Sequence, residues 1–399
     1  MSKFINSSVK RKKTLIISAF VPPSVNGPSA ILYRLFCLFP KGSYGFLTDI
    51  LDRPYNINDN NYALDCFYYY FRLPFTQAKN RWLLILVRLL RFLAIPLIVI
   101  RAVKIIKREK VDNIWATNDN GPFIISAFLA HKITGRPLYA HMLDLYKEIL
   151  PSRIEKHVAG LFEEHILKAA DRVFVMSEAL QEYYQSEYGI KTELLPHPIV
   201  LKKMQNEKKS DSANKNIFEI VYTGQMGAAW LDSTLNLVRV VNSLKNVKFS
   251  LYIPRPKEFH DYLRQQGIEG EQITISYAPP GEIVHIQQNA DLLFLPLTFG
   301  NALSNLVIKT ASPSKMPEYL VAGVPILVHA PSYSYICKNA REKGWGMVVD
   351  SLDYDQLRTA VERLMIDQKL RDQLIQNAQQ TIQSHNAQNL SRRLQEYLL

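Results

Sequence analysis

Ser314, Lys315 and Glu318 begin the segment Pro313-Ser-Lys-Met-Pro-Glu-Tyr-Leu-Val-Ala-Gly-Val-Pro-Ile-Leu-Val-His-Ala-Pro331, whose residue types and spacing suit ligand binding. Ser314 suits a helix N-cap, Met316, Tyr319, Leu320 and Val321 supply helical apolar spacing, Gly323 ends the helix, and residues 325–329 read as a short buried strand. Backbone N–H groups in the first turn of a helix lack intrahelical acceptors and carry the positive end of its dipole. With Lys315 beside them they form an anion site, and Glu318, one turn on, accepts hydrogen bonds from sugar hydroxyls. Phosphate recognition next to polyol recognition points to a nucleotide sugar. The same residues also suit a plain capped helix with a solvated Lys–Glu pair and an ordinary turn into a strand.

The segment resembles the Lys-x-x-Glu-Tyr-Leu-x-Ala-Gly-x-Pro variant of the signature of retaining glycosyltransferases of the GT-B fold, family 4 type. The resemblance implies that Glu318 holds the donor ribose and that backbone around Ser314, Lys315 and Met316 meets the donor phosphates. Most members carry an acidic residue eight positions earlier that touches the transferred sugar; Thr310 stands there instead.

Other loops match the family more loosely. Residues 21–28, Val-Pro-Pro-Ser-Val-Asn-Gly-Pro, look like its Pro-rich glycine loop, where Gly27 admits a phosphate or acceptor because no Cβ intrudes, and Asn26 replaces the first of two usual glycines. Ala140-His-Met-Leu-Asp-Leu-Tyr146 resembles its His-containing strand end. There His141 would hydrogen-bond the donor sugar and Asp144 would orient or deprotonate an acceptor hydroxyl; a surface His and an N-cap Asp is the alternative. In residues 221–232, Gly224 and Gly227 allow close backbone approach to phosphate, but the Arg and Lys that many members place in or beyond this loop are missing. Arg255, Lys309 and Lys315 are the candidate replacements. Tyr277 and Ala278 follow the strand end where the family seats the nucleotide base, so Tyr277 is placed to stack and backbone near Ala278 to pair with the base edge.

These loops need strands to end beneath them. Apolar runs over residues 14–20, 44–50, 67–73, 111–117, 137–143, 171–177 and 192–197, then 218–224, 247–254, 273–278, 291–297, 325–329 and 346–350, alternate with helical patterns. Such alternation predicts an α/β chain of parallel sheets covered on both faces: two doubly wound Rossmann-like domains facing a central cleft, residues 1–198 for the acceptor and 199–399 for the nucleotide sugar. The last helix, about 380–399, is expected to cross back to the first domain, as in the family. Residues 201–216, polar and without periodicity, read as a surface loop.

At 399 residues and 47% hydrophobic content, the chain suits two globular domains and not disorder. Cys37, Cys66 and Cys337 are isolated, as expected in a reducing compartment, and no Cys/His cluster marks a metal site. Residues 10–21 combine a basic start with only a short apolar run, which predicts a first strand and not a signal peptide. Residues 1–110 hold 18 Lys/Arg against 5 Asp/Glu, a net +13, whereas the remainder holds 30 against 31. A basic field attracts nucleic acid, anionic lipid or acidic substrate, and no nucleic-acid motif accompanies this one. Within it, residues 81–101 are apolar but interrupted by Arg88 and Arg91, near break-even for membrane insertion. Arg81, Arg88 and Arg91 share one helical face and, beyond a break at Pro96, so do Arg101, Lys104 and Arg108. That pattern suits a helix lying on an anionic membrane, or a core helix with its arginines at the surface.

Together these features predict a hexosyltransferase-like glycosyltransferase, retaining and metal-independent by family resemblance. It has no cofactor beyond a nucleotide-diphosphate sugar of UDP or GDP type. Its partners are a glycan or lipid-linked acceptor of envelope polysaccharide synthesis and an anionic membrane surface, with no nucleic acid, and its expected place is the cytoplasmic, inner face of the cell membrane. Two rivals remain: an inactive nucleotide-binding scaffold, encouraged by Thr310 and the missing Arg–Lys pair, and a sugar-nucleotide epimerase on the same fold.

Overall fold

The structure, a computed structural model, describes residues 12–19, 22, 27–49, 64–72, 86–87, 90–118, 121–150, 152–201, 217–254, 256–300 and 302–399. Arg81, Arg88, Arg255 and most of the polar segment 201–216 lie outside them. The chain divides into two compact units, Met1–Leu195 with Ala387–Leu399, and Pro196–Asn386.

The first unit is built on a seven-stranded parallel sheet in the order β3-β2-β1-β4-β5-β6-β7. Its strands are β1 Thr14–Ile17, β2 Tyr44–Asp49, β3 Phe67–Phe71, β4 Asn113–Thr117, β5 Leu138–Met142, β6 Arg172–Val175 and β7 Glu193–Leu194. The second holds six parallel strands in the order β10-β9-β8-β11-β12-β13: β8 Phe218–Thr223, β9 Val247–Tyr252, β10 Ile273–Ser276, β11 Leu292–Pro296, β12 Ile326–His329 and β13 Met347–Val349. Every expected strand is present, a little shorter than its apolar run. Central strands such as β4, β5, β11 and β12 are buried at every position because helices cover both faces, which is why they read as continuous apolar runs. In both sheets the order reverses beside the first strand, at β1/β4 and at β8/β11, where an α/β sheet opens a crevice at its carboxyl edge.

Helices of the first unit are α1 Gly27–Phe36, α2 Ile95–Glu109, α3 Phe123–Thr134, α4 Arg153–Ala169 and α5 Glu178–Tyr188. Local chemistry sets their ends. The Ser152 and Ser177 hydroxyls accept from Glu155 N and Leu180 N at the starts of α4 and α5, and Gly135 and Gly189 take left-handed backbone after α3 and α5. Trp115, fully buried on β4, meets Phe36 of α1 edge-on and stacks on Phe174 of β6, joining one face of the sheet to its core.

The stretch leading into α2 differs from expectation in two ways. Pro96 falls in the first turn of α2, where its missing N–H costs nothing, so the interruption comes at Ala94. Arg91, expected on a cationic outer stripe, instead forms a 3.2 Å ion pair with the buried Asp49 carboxylate at the end of β2. A carboxylate buried at a strand end needs a cation within reach, and that need turns Arg91 inward.

The second unit carries α6 Leu231–Ser243, α7 Pro256–Gln265, α8 Pro280–Asn289, α9 Asn305–Thr310, α10 Lys315–Val321, α11 Tyr335–Lys343, α12 Tyr354–Ile366 and α13 Gln368–Thr381. The chain then ends in α14 Ala387–Leu398, which belongs to the first unit and packs beside α1. The Asn113 side-chain amide donates to Leu398 O at 2.8 Å, Tyr397 Oη donates to Glu193 Oε2 at 2.9 Å, and the Arg172 guanidinium lies 4.2 Å from the centre of the Tyr397 ring. Leu390, Leu394 and Leu398 are buried at helical spacing. Leu394→Ala should therefore destabilise the first unit by about 2–4 kcal/mol in urea unfolding. A loss below about 0.5 kcal/mol, the range of surface substitutions, would mean that α14 contributes little to that core.

Candidate functional site

The signature segment folds as α10 followed by β12. Ser314 occupies the N-cap position of α10, but its backbone is helical and its hydroxyl makes no capping bond, a difference from the expected side-chain cap. Met316 N donates to Pro313 O at 2.9 Å, and Pro317 has no N–H, so the first turn offers fewer backbone donors than a generic helix start. The positive charge here rests on Lys315.

Lys315 is only 9% exposed. Its Nζ lies 4.7 Å from the centre of the Tyr222 ring and 4.5 Å from that of Trp230, and no described residue gives it a hydrogen bond or ion pair. Burial pushes its ammonium down to about 8, with the nearby Glu318 carboxylate opposing. Gly224, immediately after β8, makes the space: it sits at φ +117°, where side chains are strained, and a Cβ there would come within 2.9 Å of Lys315 Cε. The structure thus brings Gly224, Lys315 and the half-buried Glu318 into one group at the carboxyl end of β8.

A buried tyrosine fixes this arrangement. Tyr319 Oη accepts from Thr223 N at 2.9 Å, holding α10 against the last residue of β8, while Gln287 of α8 donates to Thr223 Oγ1 at 2.8 Å. Beside them, Asp232 in the first turn of α6 accepts from Phe299 N and Gly300 N, both 2.8 Å, and from Thr298 Oγ1 at 3.0 Å on one carboxylate oxygen. Ser233 Oγ donates to Leu297 O at 2.5 Å, so α6 grips the loop after β11. His197 Nε2 donates to Ser312 O at 2.8 Å and steadies the approach to α10. His329 remains neutral: its Nδ1 donates to Val349 O, its Nε2 accepts from Asn236, and burial lowers its basicity.

The remaining predicted residues of the second unit are spread along the same edge. Tyr277 is exposed and Ala278 buried just beyond β10, two strands from β8, and no described residue hydrogen-bonds the Ala278 amide or carbonyl. Lys309 is exposed in the last turn of α9. Thr310, in the place of the family's acidic residue, is buried, and its hydroxyl donates to Leu306 O at 3.0 Å within its own helix. It presents no negative charge.

In the first unit, Gly27 opens α1, and Asn26 and most of the preceding loop lie outside the described residues. His141 lies within β5 and is fully buried, its Nε2 3.2 Å from Met176 Sδ and its ring edge-on to Trp115. It is enclosed in the sheet's core, neither at a surface nor open to a substrate. Asp144, three residues on, is exposed. Asn118, just past β4, joins the two: its N–H donates to His141 O, its side-chain amide to Asp144 O at 2.9 Å, and its Oδ1 accepts from Leu143 N at 2.6 Å. Among the described residues no group of three His, Cys, Asp or Glu side chains is placed to hold a metal ion.

Sequence reasoning missed Tyr222, Trp230, Asp232, Gln287 and Asn118. Tyr222, Trp230 and Asp232 stood in a segment already of interest, and an Asp opening a helix is a visible signal. The others are defined only by which strand lies beside which.

Residues 236–381 match the family model described as Glycosyl transferases group 1, a little over a third of the chain and all within the second unit. No curated protein matches the sequence. Among solved structures, a glycosyltransferase from Rickettsia africae is similar at TM-score 0.64 and 13% identity, covering 97% of this chain and 98% of its own. HepE from Anabaena in complex with UDP and glucose gives 0.64 and 14% over 97% and 99%, and sucrose-phosphate synthase from Thermosynechococcus elongatus gives 0.66 and 14% over 97% and 98%. With its two parallel, Rossmann-like sheets the chain has the two-domain GT-B fold, and its second unit carries the group 1 glycosyltransferase match.

Proposed function

We propose that this protein is a family 4 type glycosyltransferase that moves a sugar from a nucleotide-diphosphate donor, of UDP or GDP type, to a glycan or lipid-linked acceptor of envelope polysaccharide synthesis. The observation that carries this reading is the Lys315 ammonium, buried against Gly224 and next to Glu318 inside the segment matched by the glycosyltransferase family. A buried cation that no described residue hydrogen-bonds or ion-pairs, and that the Glu318 field offsets only in part, is poised for an anion from outside, and a diphosphate supplies it. Glu318 accepts the ribose hydroxyls, and the open backbone of Ala278 with the Tyr277 ring receives the base. Gly27, Lys309, Ser314 and Met316 complete the donor contacts in this reading, with Arg255 a further source of charge.

Transfer then depends on stabilising the leaving diphosphate, which Lys315 and helix dipoles supply without a divalent metal. The departing phosphate takes the acceptor hydroxyl's proton on the face where the new bond forms, so configuration is retained. The first unit binds the acceptor, and Asp144 orients its hydroxyl. His141, enclosed beneath, acts through the loop that Asn118 pins. A second reading, a nucleotide-binding scaffold without transfer activity, draws on Thr310, whose hydroxyl is spent within its own helix.

Glu318→Gln should weaken nucleotide-sugar binding by about 1–3 kcal/mol with the melting temperature unchanged, read by calorimetry; unaltered affinity would remove Glu318 from the donor site. Lys315 carries charge below about pH 8 and loses it above, so nucleoside diphosphate affinity should fall as pH rises through 8 to 9. Lys315→Met should bind weakly and without that dependence, and an identical pH profile in wild type and variant would exclude the lysine. Asp144→Asn should lower turnover by about 10²–10⁴-fold with little change in donor affinity. Full activity in Asp144→Asn, or an inverted product, would contradict the mechanism. Nucleotide binding with no transfer to any acceptor would favour the scaffold.

A further inference from the structure

The outer face of the helix in the first unit's basic segment is apolar where solvent should meet polar residues. Residues 90–93 are helical and run into α2 through Ala94, whose N–H bonds Leu90 O at 3.2 Å while Ile98 N bonds Ala94 O at 3.0 Å. Along this path Leu90, Leu93, Leu97 and Ile100 are each between 42% and 72% exposed. At 3.6 residues per turn they fall within about 80° of one another, a single row. The opposite face, Ile95, Ile98, Val99, Ala102, Ile105 and Ile106, is buried and packs on α3, so the exposed row is not the helix's core stripe.

The row does not end in neutral surface. Beyond Ile100 it continues as Arg101, Lys104 and Lys107, all exposed and without a carboxylate partner among the described residues. Lys104 falls within the leucine arc itself. Arg91 lies at least about 100° from every member of the row, on the inward face, where it pairs with Asp49.

We propose that this face docks the protein on an anionic lipid bilayer, with Leu90, Leu93, Leu97 and Ile100 entering the acyl boundary and Arg101, Lys104 and Lys107 meeting the headgroups. The occupant follows from charge. An apolar row continued by unpaired cations is complementary to a surface that is apolar within and anionic at its rim. The excess of +13 over residues 1–110, against −1 for the rest, points the same way. No described helix is long and apolar enough to cross a membrane, so the contact lies along the surface. This docking goes beyond the transfer reaction and does not depend on it.

The test is flotation of the full chain with phosphatidylcholine vesicles, with and without phosphatidylglycerol. Wild type should float with the anionic vesicles, less so as salt rises, and hardly with neutral ones. Leu93→Ser with Leu97→Ser should lower the partition coefficient by about 100-fold, roughly tenfold per leucine removed from the acyl boundary. Arg101→Glu with Lys104→Glu should lower it by at least about 25-fold, roughly fivefold per cation. Both pairs sit on the surface, and unchanged melting temperatures and nucleotide affinity separate loss of docking from misfolding or loss of the donor site. The proposal is overturned by absence of wild-type flotation, by equal binding to neutral vesicles, or by unaltered binding of the leucine variant. Concentration-dependent self-association of wild type that the leucine variant abolishes would likewise overturn it, by assigning the row to a second copy of the chain.

Discussion

An ammonium group held out of water organises the candidate donor site. Lys315 reaches its position over the Tyr222 and Trp230 rings because Gly224 has no side chain and because Tyr319 draws α10 onto the end of β8. The aromatic faces return about 0.5–2 kcal/mol each, well short of full solvation of a cation, and its lowered basicity records the deficit. An anion beside it would relieve that deficit, so the burial suits a negatively charged ligand.

Around this cation the second unit places a set of hydrogen bonds. Thr223 is tied to Tyr319 and Gln287, the Asp232 carboxylate holds three donors of the loop after β11, and His329 stays neutral while bonding Asn236 and Val349. These bonds tie the end of β8 to α8 and α10, the start of α6 to the loop after β11, and the end of β12 to α6 and β13. Preorganisation of this kind lets a site bind charge without reorganising at the moment of reaction. The first unit uses the same device at Asn118, whose three hydrogen bonds set the turn that carries Asp144.

The alternation of strands and helices was legible because strands buried on both faces must be apolar at every position, a pattern that survives without knowledge of neighbours. The grouping of Gly224, Lys315 and Glu318 was legible in part, from a glycine after a strand and a charged helix start. Trp230 against Lys315 and Tyr319 against Thr223 were not, since they meet across 85 and 96 residues of sequence and depend on which strands lie side by side. His141 and Arg91 show the limit most clearly. A polar residue at a strand end and a cation in an apolar helix both suggest exposure, and both turn inward to partners that spacing alone cannot name, Met176 and Asp49.

Lys315 is the proposed docking point for a nucleoside diphosphate. A crystal structure of the protein with UDP or GDP bound tests it most directly. Lys315 Nζ should lie within about 3 Å of a diphosphate oxygen, with Glu318 on the ribose hydroxyls. Nucleotide bound elsewhere, with Lys315 still enclosed between Tyr222 and Trp230, would contradict it.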